Sequence, residues 1–239
     1  MEDIHNWQTK YASCHYADRL LNKLIQMNKE VNRPINIDEV KKAIYYAKKY
    51  HGSQMRQSGE PYYSHPIEVA YMTSDYLFRT DIIVTSILHD TIEDTELSRN
   101  MIAIIFGEQV ATQVMDLTRI KEDGRKISSA EMVESLFEQK KYEGLLVKQF
   151  DRLHNMQTIG AKSPEKVQKI LDETLKIFLS LPAYLNTLDI EKNIAKFCFL
   201  ASKGSDANYI QRNFSFLGSS QPSFLKFQNE TSQIYNPKL

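Results

Sequence analysis

The amino-acid sequence predicts an all-α fold, a helical bundle. Apolar residues recur at helical spacing through most of the chain, and only 8 Gly and 7 Pro occur in 239 residues. Where the pattern breaks, helix start and stop signals stand at the break.

The elements follow in order. HYADRLLNKLIQMNKEV, from His15, has the period of an amphipathic helix, and NRPINID ends it with Pro34 and supplies Asn36 or Asp38 as the cap of the next. That next helix, DEVKKAIYYAKKYH, stops at Gly52. Ser58, Gly59 and Pro61 mark a loop, after which Pro66 suits the first turn of a helix and places His65 at its entrance. DIIVTSILHDTIEDT, residues 81 to 95, reads as one strongly apolar helix with acids at its end. RNMIAIIFGEQVATQVMDLTRI adds helix interrupted near Phe106 and Gly107, and KEDGRK is a surface loop by composition. Residues 128 to 162 hold two helices; Ser163 and Pro164 then start another. Beyond about residue 201 the chain turns rich in Ser, Asn and Gln without a period, so an irregular tail is expected at 201–239.

Composition narrows the function classes. The chain is 42% hydrophobic and 25% charged, as soluble globular proteins are. Its apolar runs fall short of the roughly 18 residues of a membrane span, and the start lacks the blocks of a secretory signal, which favours the cytoplasm. Thirty basic residues balance thirty acidic ones. No bulk field draws the protein to nucleic acid or an anionic membrane, and an anionic ligand has to be met locally. Cys14 and Cys198 read as reduced, buried residues without chemistry.

Three segments carry candidate chemistry. SILHDTIEDT places His89, Asp90, Glu93 and Asp94 on one side if the stretch is helical. Three neighbouring carboxylates repel one another, and a divalent cation turns that repulsion into attraction while accepting an imidazole nitrogen. The alternative is an acidic, solvated helix end. In LVKQFDRLHNMQT, Asp151, Asn155 and Thr158 share one helix face, suited to a ligand pocket, although Asn155 and Thr158 also suit capping or buried hydrogen bonding. His154 points elsewhere and reads as structural. In RQSGEPYYSHP, Arg56 offers a planar fork for phosphate or a face for stacking, and His65 could complete a metal shell.

RQSGEPYYSHP, ILHDTIEDT and FDRLHNMQT, in this order, resemble three motifs of the hydrolase domain of RelA/SpoT-type alarmone enzymes, a branch of the HD metal-dependent phosphohydrolases. The resemblance runs from about residue 37 to 185. It implies an HD-type domain, expected over 37–200; residues 1–36, which have no counterpart in the family, are expected to form a helical extension before it. The resemblance also implies that His65, His89, Asp90 and Asp151 bind one metal ion, manganese in the family, and that Glu93 and Asp94 are the catalytic acids. Arg56, Ser58, Asn155 and Thr158 would contact the nucleotide. The implied reaction removes the 3′-pyrophosphate of guanosine tetra- or pentaphosphate. Another nucleotide as substrate, such as NADPH or a dNTP, and a sensor without turnover are the alternatives.

Three features depart from the family pattern. Gln57 stands where a second basic residue usually follows the Arg, Gln157 replaces an Arg, and VKQFD differs from the usual aliphatic lead into the Asp. A polar tail where long members continue into a synthetase domain suggests a hydrolase-only protein.

Overall fold

The computed structural model describes residues 6–121, 124–178, 181, 185 and 187–201; the expected irregular tail, apart from residue 201, lies outside the described residues. The chain forms two compact units divided between Asp151 and Arg152. The described residues are helical, with two isolated bridges, Met55 to Pro61 and Ile120 to Lys126, and no strand ladder among them. The all-α class expected from the sequence is the one observed.

In the first unit the helices are α1 (Trp7–Lys10), α2 (His15–Met27), α3 (Ile37–His51), α4 (Ser64–Thr73), α5 (Thr80–Leu88), α6 (Thr91–Asp94), α7 (Arg99–Phe106), α8 (Glu108–Asp116), α9 (Ser129–Glu138) and α10 (Tyr142–Gln157), the division falling within α10. Asn36 caps α3, its side chain accepting from the backbone N–H of Asp38 and Glu39 at 3.1 and 3.2 Å. Ser128 and Glu131 satisfy each other's backbone N–H at the start of α9. Gly107, at φ +90°, provides the left-handed turn between α7 and α8 that a side chain would strain.

α5 is the central element. Seven consecutive residues, Ile82 to Leu88, are buried, and α5 packs against α3, α4 and α8. A helix that is apolar on every side has to be enclosed by neighbours. α2 shares this core, burying Ala17, Leu20, Leu21 and Leu24 against α3 and α4. The segment read as an extension is thus part of the main packing. Gly144 brings α10 close to its neighbours: a Cβ there would stand 3.2 Å from Leu136 Cδ2 and 3.4 Å from Leu117 Cδ2. Ile87 is 0% exposed, so Ile87→Ala removes packing that its surroundings only partly refill. A loss of about 2–5 kcal/mol is expected, read as a lower urea midpoint.

The second unit contains the end of α10, a 3₁₀ turn (Ile159–Ala161), α11 (Pro164–Glu173), a π-helical turn (Thr174–Phe178) and α12 (Leu188–Ala201). Ser163 has extended backbone at the α11 cap position and Pro164 opens the helix. Within this unit Arg152 pairs with Glu173 at 2.6 Å and stacks over the Phe178 ring at 4.2 Å. Cys198 is buried as expected, and burial pushes its thiol up to about 12. Cys14, in the first unit, is only half-buried at the start of α2.

One expectation changes. Residues 81–95 are not a single helix: α5 ends at Leu88, His89 and Asp90 form a turn, and α6 is one short turn. The Thr91 hydroxyl donates to the Leu88 carbonyl at 2.7 Å and the His89 ring to the Ser86 carbonyl at 2.8 Å. Side-chain bonds of this kind compete with the helical ladder and end it. His89 and Asp90 therefore face the interior while Glu93 and Asp94 sit on a separate turn.

Candidate metal centre

Four side chains from three stretches of the first unit converge. His65 comes from the first turn of α4, His89 and Asp90 from the turn after α5, and Asp151 from α10. His65 Nε2 lies 3.0 Å from Asp151 Oδ1 and 3.5 Å from Asp90 Oδ2; His89 Nε2 lies 3.0 Å from Asp90 Oδ1 and 3.9 Å from Asp151 Oδ1. One donor atom from each of His65, His89 and Asp151 lies within 4.8 Å of the others. The spacing and burial bring together the four residues named from the sequence as ligands.

His89 supplies the test of fit. A carbonyl can only accept, so the bond from Nδ1 to Ser86 fixes a proton on Nδ1, and in the neutral ring Nε2 then carries the lone pair. The ring is 1% exposed, and Nε2 is buried with carboxylate oxygens beside it, Asp90 Oδ1 at 3.0 Å and Asp151 Oδ1 at 3.9 Å. An oriented lone pair beside two carboxylates and a second imidazole is what a divalent cation requires. Two nitrogens and two oxygens give a borderline-hard set.

The electrostatics keep the acids ionised. Burial works to raise Asp90, but the neighbouring His89 outweighs it and holds the carboxyl below its usual range. Burial likewise opposes ionisation of Asp151, and Lys148, 2.5 Å from Oδ2, overcomes it. The two Asp151 oxygens divide their duties: Oδ1 faces the imidazoles and Oδ2 meets the ammonium. Burial lowers His65 and favours its neutral form. At His89 burial also lowers the pKa, but Asp90 and Asp151 bring the net shift upward.

The two acids on α6 have opposite surroundings. Glu93 Oε1 meets Arg119 Nη2 at 2.5 Å and Lys126 Nζ at 3.1 Å, and Oε2 accepts from the Arg119 backbone at 3.3 Å. Burial raises Glu93, yet these cations take it below the usual range. Asp94 accepts from the Tyr62 hydroxyl at 2.6 Å on Oδ2; burial together with the charges of Asp90 and Glu93 outweighs that bond and raises its pKa. Two neighbouring carboxyls pushed apart in this way suit different roles in proton transfer.

The remaining sequence candidates are less gathered. Arg56 is half-buried in the loop before α4, its backbone N–H donating to Glu60 at 2.8 Å, and Ser58 is exposed in the same loop. Asn155 and Thr158 belong to the second unit, where the Thr158 hydroxyl donates to the His154 carbonyl at 3.2 Å. Sequence reasoning missed Arg119, Lys126, Lys148 and Tyr62. Lys126 was read as part of a solvated loop. Only the offset of three residues between Lys148 and Asp151 on one helix was a usable signal.

A helical bundle that gathers two imidazoles and two carboxylates has the chemistry of a class of helical proteins that could hold a divalent cation at this place. The family model described as HD domain matches residues 43–187, more than half of the chain. The chain belongs to the HD domain family. It is 35% identical over 182 residues to the GTP pyrophosphokinase rsh of Brucella ovis, covering 74% of this chain and 24% of that protein. It is 33% identical over 168 residues to the guanosine-3′,5′-bis(diphosphate) 3′-pyrophosphohydrolase of Aquifex aeolicus, covering 70% of this chain and 24% of that protein. The chain thus spans about a quarter of the length of the curated relatives it matches. Among solved structures, one described as a metazoan ortholog of SpoT that hydrolyzes ppGpp has the same fold, with a TM-score of 0.57 at 19% identity over 73% of this chain and 99% of that one. No helix among the described residues is long and apolar enough to cross a membrane.

Proposed function

We propose that this chain is a metal-dependent phosphohydrolase that removes the 3′-pyrophosphate of guanosine tetra- or pentaphosphate, giving GDP or GTP and pyrophosphate with consumption of one water. The observation that carries the reading is the convergence of His65, His89, Asp90 and Asp151, with Glu93 and Asp94 one turn further along. The names of the Brucella and Aquifex relatives, and the description of the structural neighbour, support the substrate class.

In this reading the four residues hold one divalent ion, Mn²⁺ by the family resemblance, which would make water more acidic and neutralise phosphoryl charge. Asp94, the more basic carboxyl, accepts the water proton, since a general base gains from a raised pKa. Glu93 stays ionised and orients the water. Arg119 and Lys126 bring two positive charges beside it, and together with Arg56 they meet the phosphates, which explains how a chain of no net charge binds a polyanion. Ser58, in the same loop as Arg56, contacts the nucleotide.

The test is direct. Purified protein with Mn²⁺ and guanosine tetraphosphate is expected to release GDP and pyrophosphate, and EDTA to stop the release. A parallel panel with NADPH and dNTPs ranks substrates by kcat/KM. Intact guanosine tetraphosphate after prolonged incubation, beside turnover of another nucleotide, would move the assignment to that substrate.

A further inference from the structure

Asp94 closes a helix of only four residues and is exposed as a residue, although its carboxyl is partly screened from water. One helical turn has little stiffness of its own. A carboxylate that takes a proton in a reaction nevertheless has to be held closely, because displacements of about 1 Å can cost a hundredfold in rate. The first unit contains a device that holds it, and that device leads back to a buried histidine without a part in the chemistry described so far.

Two side chains from the stretch between α3 and α4 grip Asp94. The Tyr62 hydroxyl donates to Asp94 Oδ2 at 2.6 Å, and Gln54 Nε2 donates to the Asp94 backbone carbonyl at 3.0 Å. One bond fixes the head group, the other fixes the main chain. Both grips meet at His51, the last residue of α3. Its Nδ1 lies 2.8 Å from Gln54 Oε1, and its ring stacks on Tyr62 with centroids 4.6 Å apart and planes at 22°. Since Gln54 gives its N–H₂ to Asp94, its Oε1 is the acceptor and His51 carries its proton on Nδ1. A flipped Gln54 would set its oxygen against the Asp94 carbonyl and lose that bond.

His51 is 1% exposed, and its Nε2 has no hydrogen-bond partner among the described residues. A buried imidazole with half of its polar capacity unused is costly to keep for packing alone. Burial lowers its pKa, so it stays neutral and adds no charge beside the acids. Burial also raises the Tyr62 phenol, which remains a donor.

We propose that His51 is a positioning residue that acts through Gln54 and Tyr62 to fix Asp94, so that Oδ2 is engaged and Oδ1 is presented to the proton it accepts. The proposal rests on the phosphohydrolase reading for its kinetic arm and on geometry alone for its structural arm.

Two variants separate the contributions. Tyr62→Phe keeps the stacked ring and removes the hydroxyl; His51→Phe keeps an aromatic ring against Tyr62 and removes the Nδ1 donor. Amide hydrogen exchange across residues 91–94 is expected to accelerate about tenfold in both, the equivalent of one net hydrogen bond of roughly 1.4 kcal/mol, while the global unfolding midpoint and Mn²⁺ affinity change little. Unchanged exchange in that segment in a folded His51→Phe protein overturns the proposal, whatever the substrate proves to be. With guanosine tetraphosphate, kcat is expected to fall tenfold or more at constant KM. In an Asp94→Asn background, adding Tyr62→Phe should then lower kcat less than twofold further, because the residue acts through the carboxylate already lost. Full additivity would mean that Tyr62 acts elsewhere. Wild-type protein that leaves guanosine tetraphosphate intact ends the substrate assignment instead, and the exchange measurement still decides the frame.

Discussion

Asp90→Asn protein is expected to fold, to lose its divalent ion and to retain less than about a thousandth of the wild-type kcat. Asp90 supplies one oxygen toward each imidazole, at 3.0 Å to His89 and 3.5 Å to His65. The amide has nearly the same shape but no charge, and one of its two positions becomes a donor that faces a lone pair. A Lewis acid contributes several kcal/mol of transition-state stabilisation, and losing about 4 kcal/mol corresponds to about a thousandfold in rate. Metal content after dialysis against Mn²⁺, measured by mass spectrometry alongside kcat, checks both halves. An Asp90→Asn protein with one ion per chain and full turnover would remove Asp90 from the donor set.

The opposite pattern is expected for Glu93→Gln: full metal content and a kcat lower by about 10²–10⁴, the usual worth of a positioned acid or base. Glu93 is held by Arg119 and Lys126 rather than by the His-Asp cluster, so neutralising it leaves the ligands in place. The same change takes a negative charge away from beside Arg119 and Lys126. KM for the anionic substrate is therefore expected to stay level or to fall, a split that a collapsed site would not produce. Steady-state kinetics at saturating Mn²⁺ separates these outcomes.

The helical class was legible because the apolar period persists through α2, α3 and α5 and because Asn36, Gly52 and Pro66 stand where the chain turns. His89, Asp90, Glu93 and Asp94 were legible as a charge cluster that calls for a counterion. Other features were not. Closure of His65 onto Asp151 spans 86 residues and follows from packing that no local pattern encodes; only resemblance to a family connected them. The break between α5 and α6 escaped because apolar spacing runs straight through it, whereas the hydroxyl of Thr91 and the ring of His89 decide the matter by bonding to backbone carbonyls. KEDGRK has a loop composition, and its described residues, Lys121 and 124–126, stand outside any helix, with Gly124 at φ +81°. Its composition could not show that the flanking Arg119 and the loop's own Lys126 fold back onto Glu93.

Lys148 bears on how substrate and product travel. Two aspartates and a divalent ion would cancel to an electroneutral core, but the ammonium lodged against Asp151 contributes one uncancelled positive unit. In the proposed reaction a polyphosphate approaching from solvent would experience a net inward pull at short range, weakened as ionic strength rises. The same surplus would act on the pyrophosphate product, so an interior that speeds arrival would also retard departure.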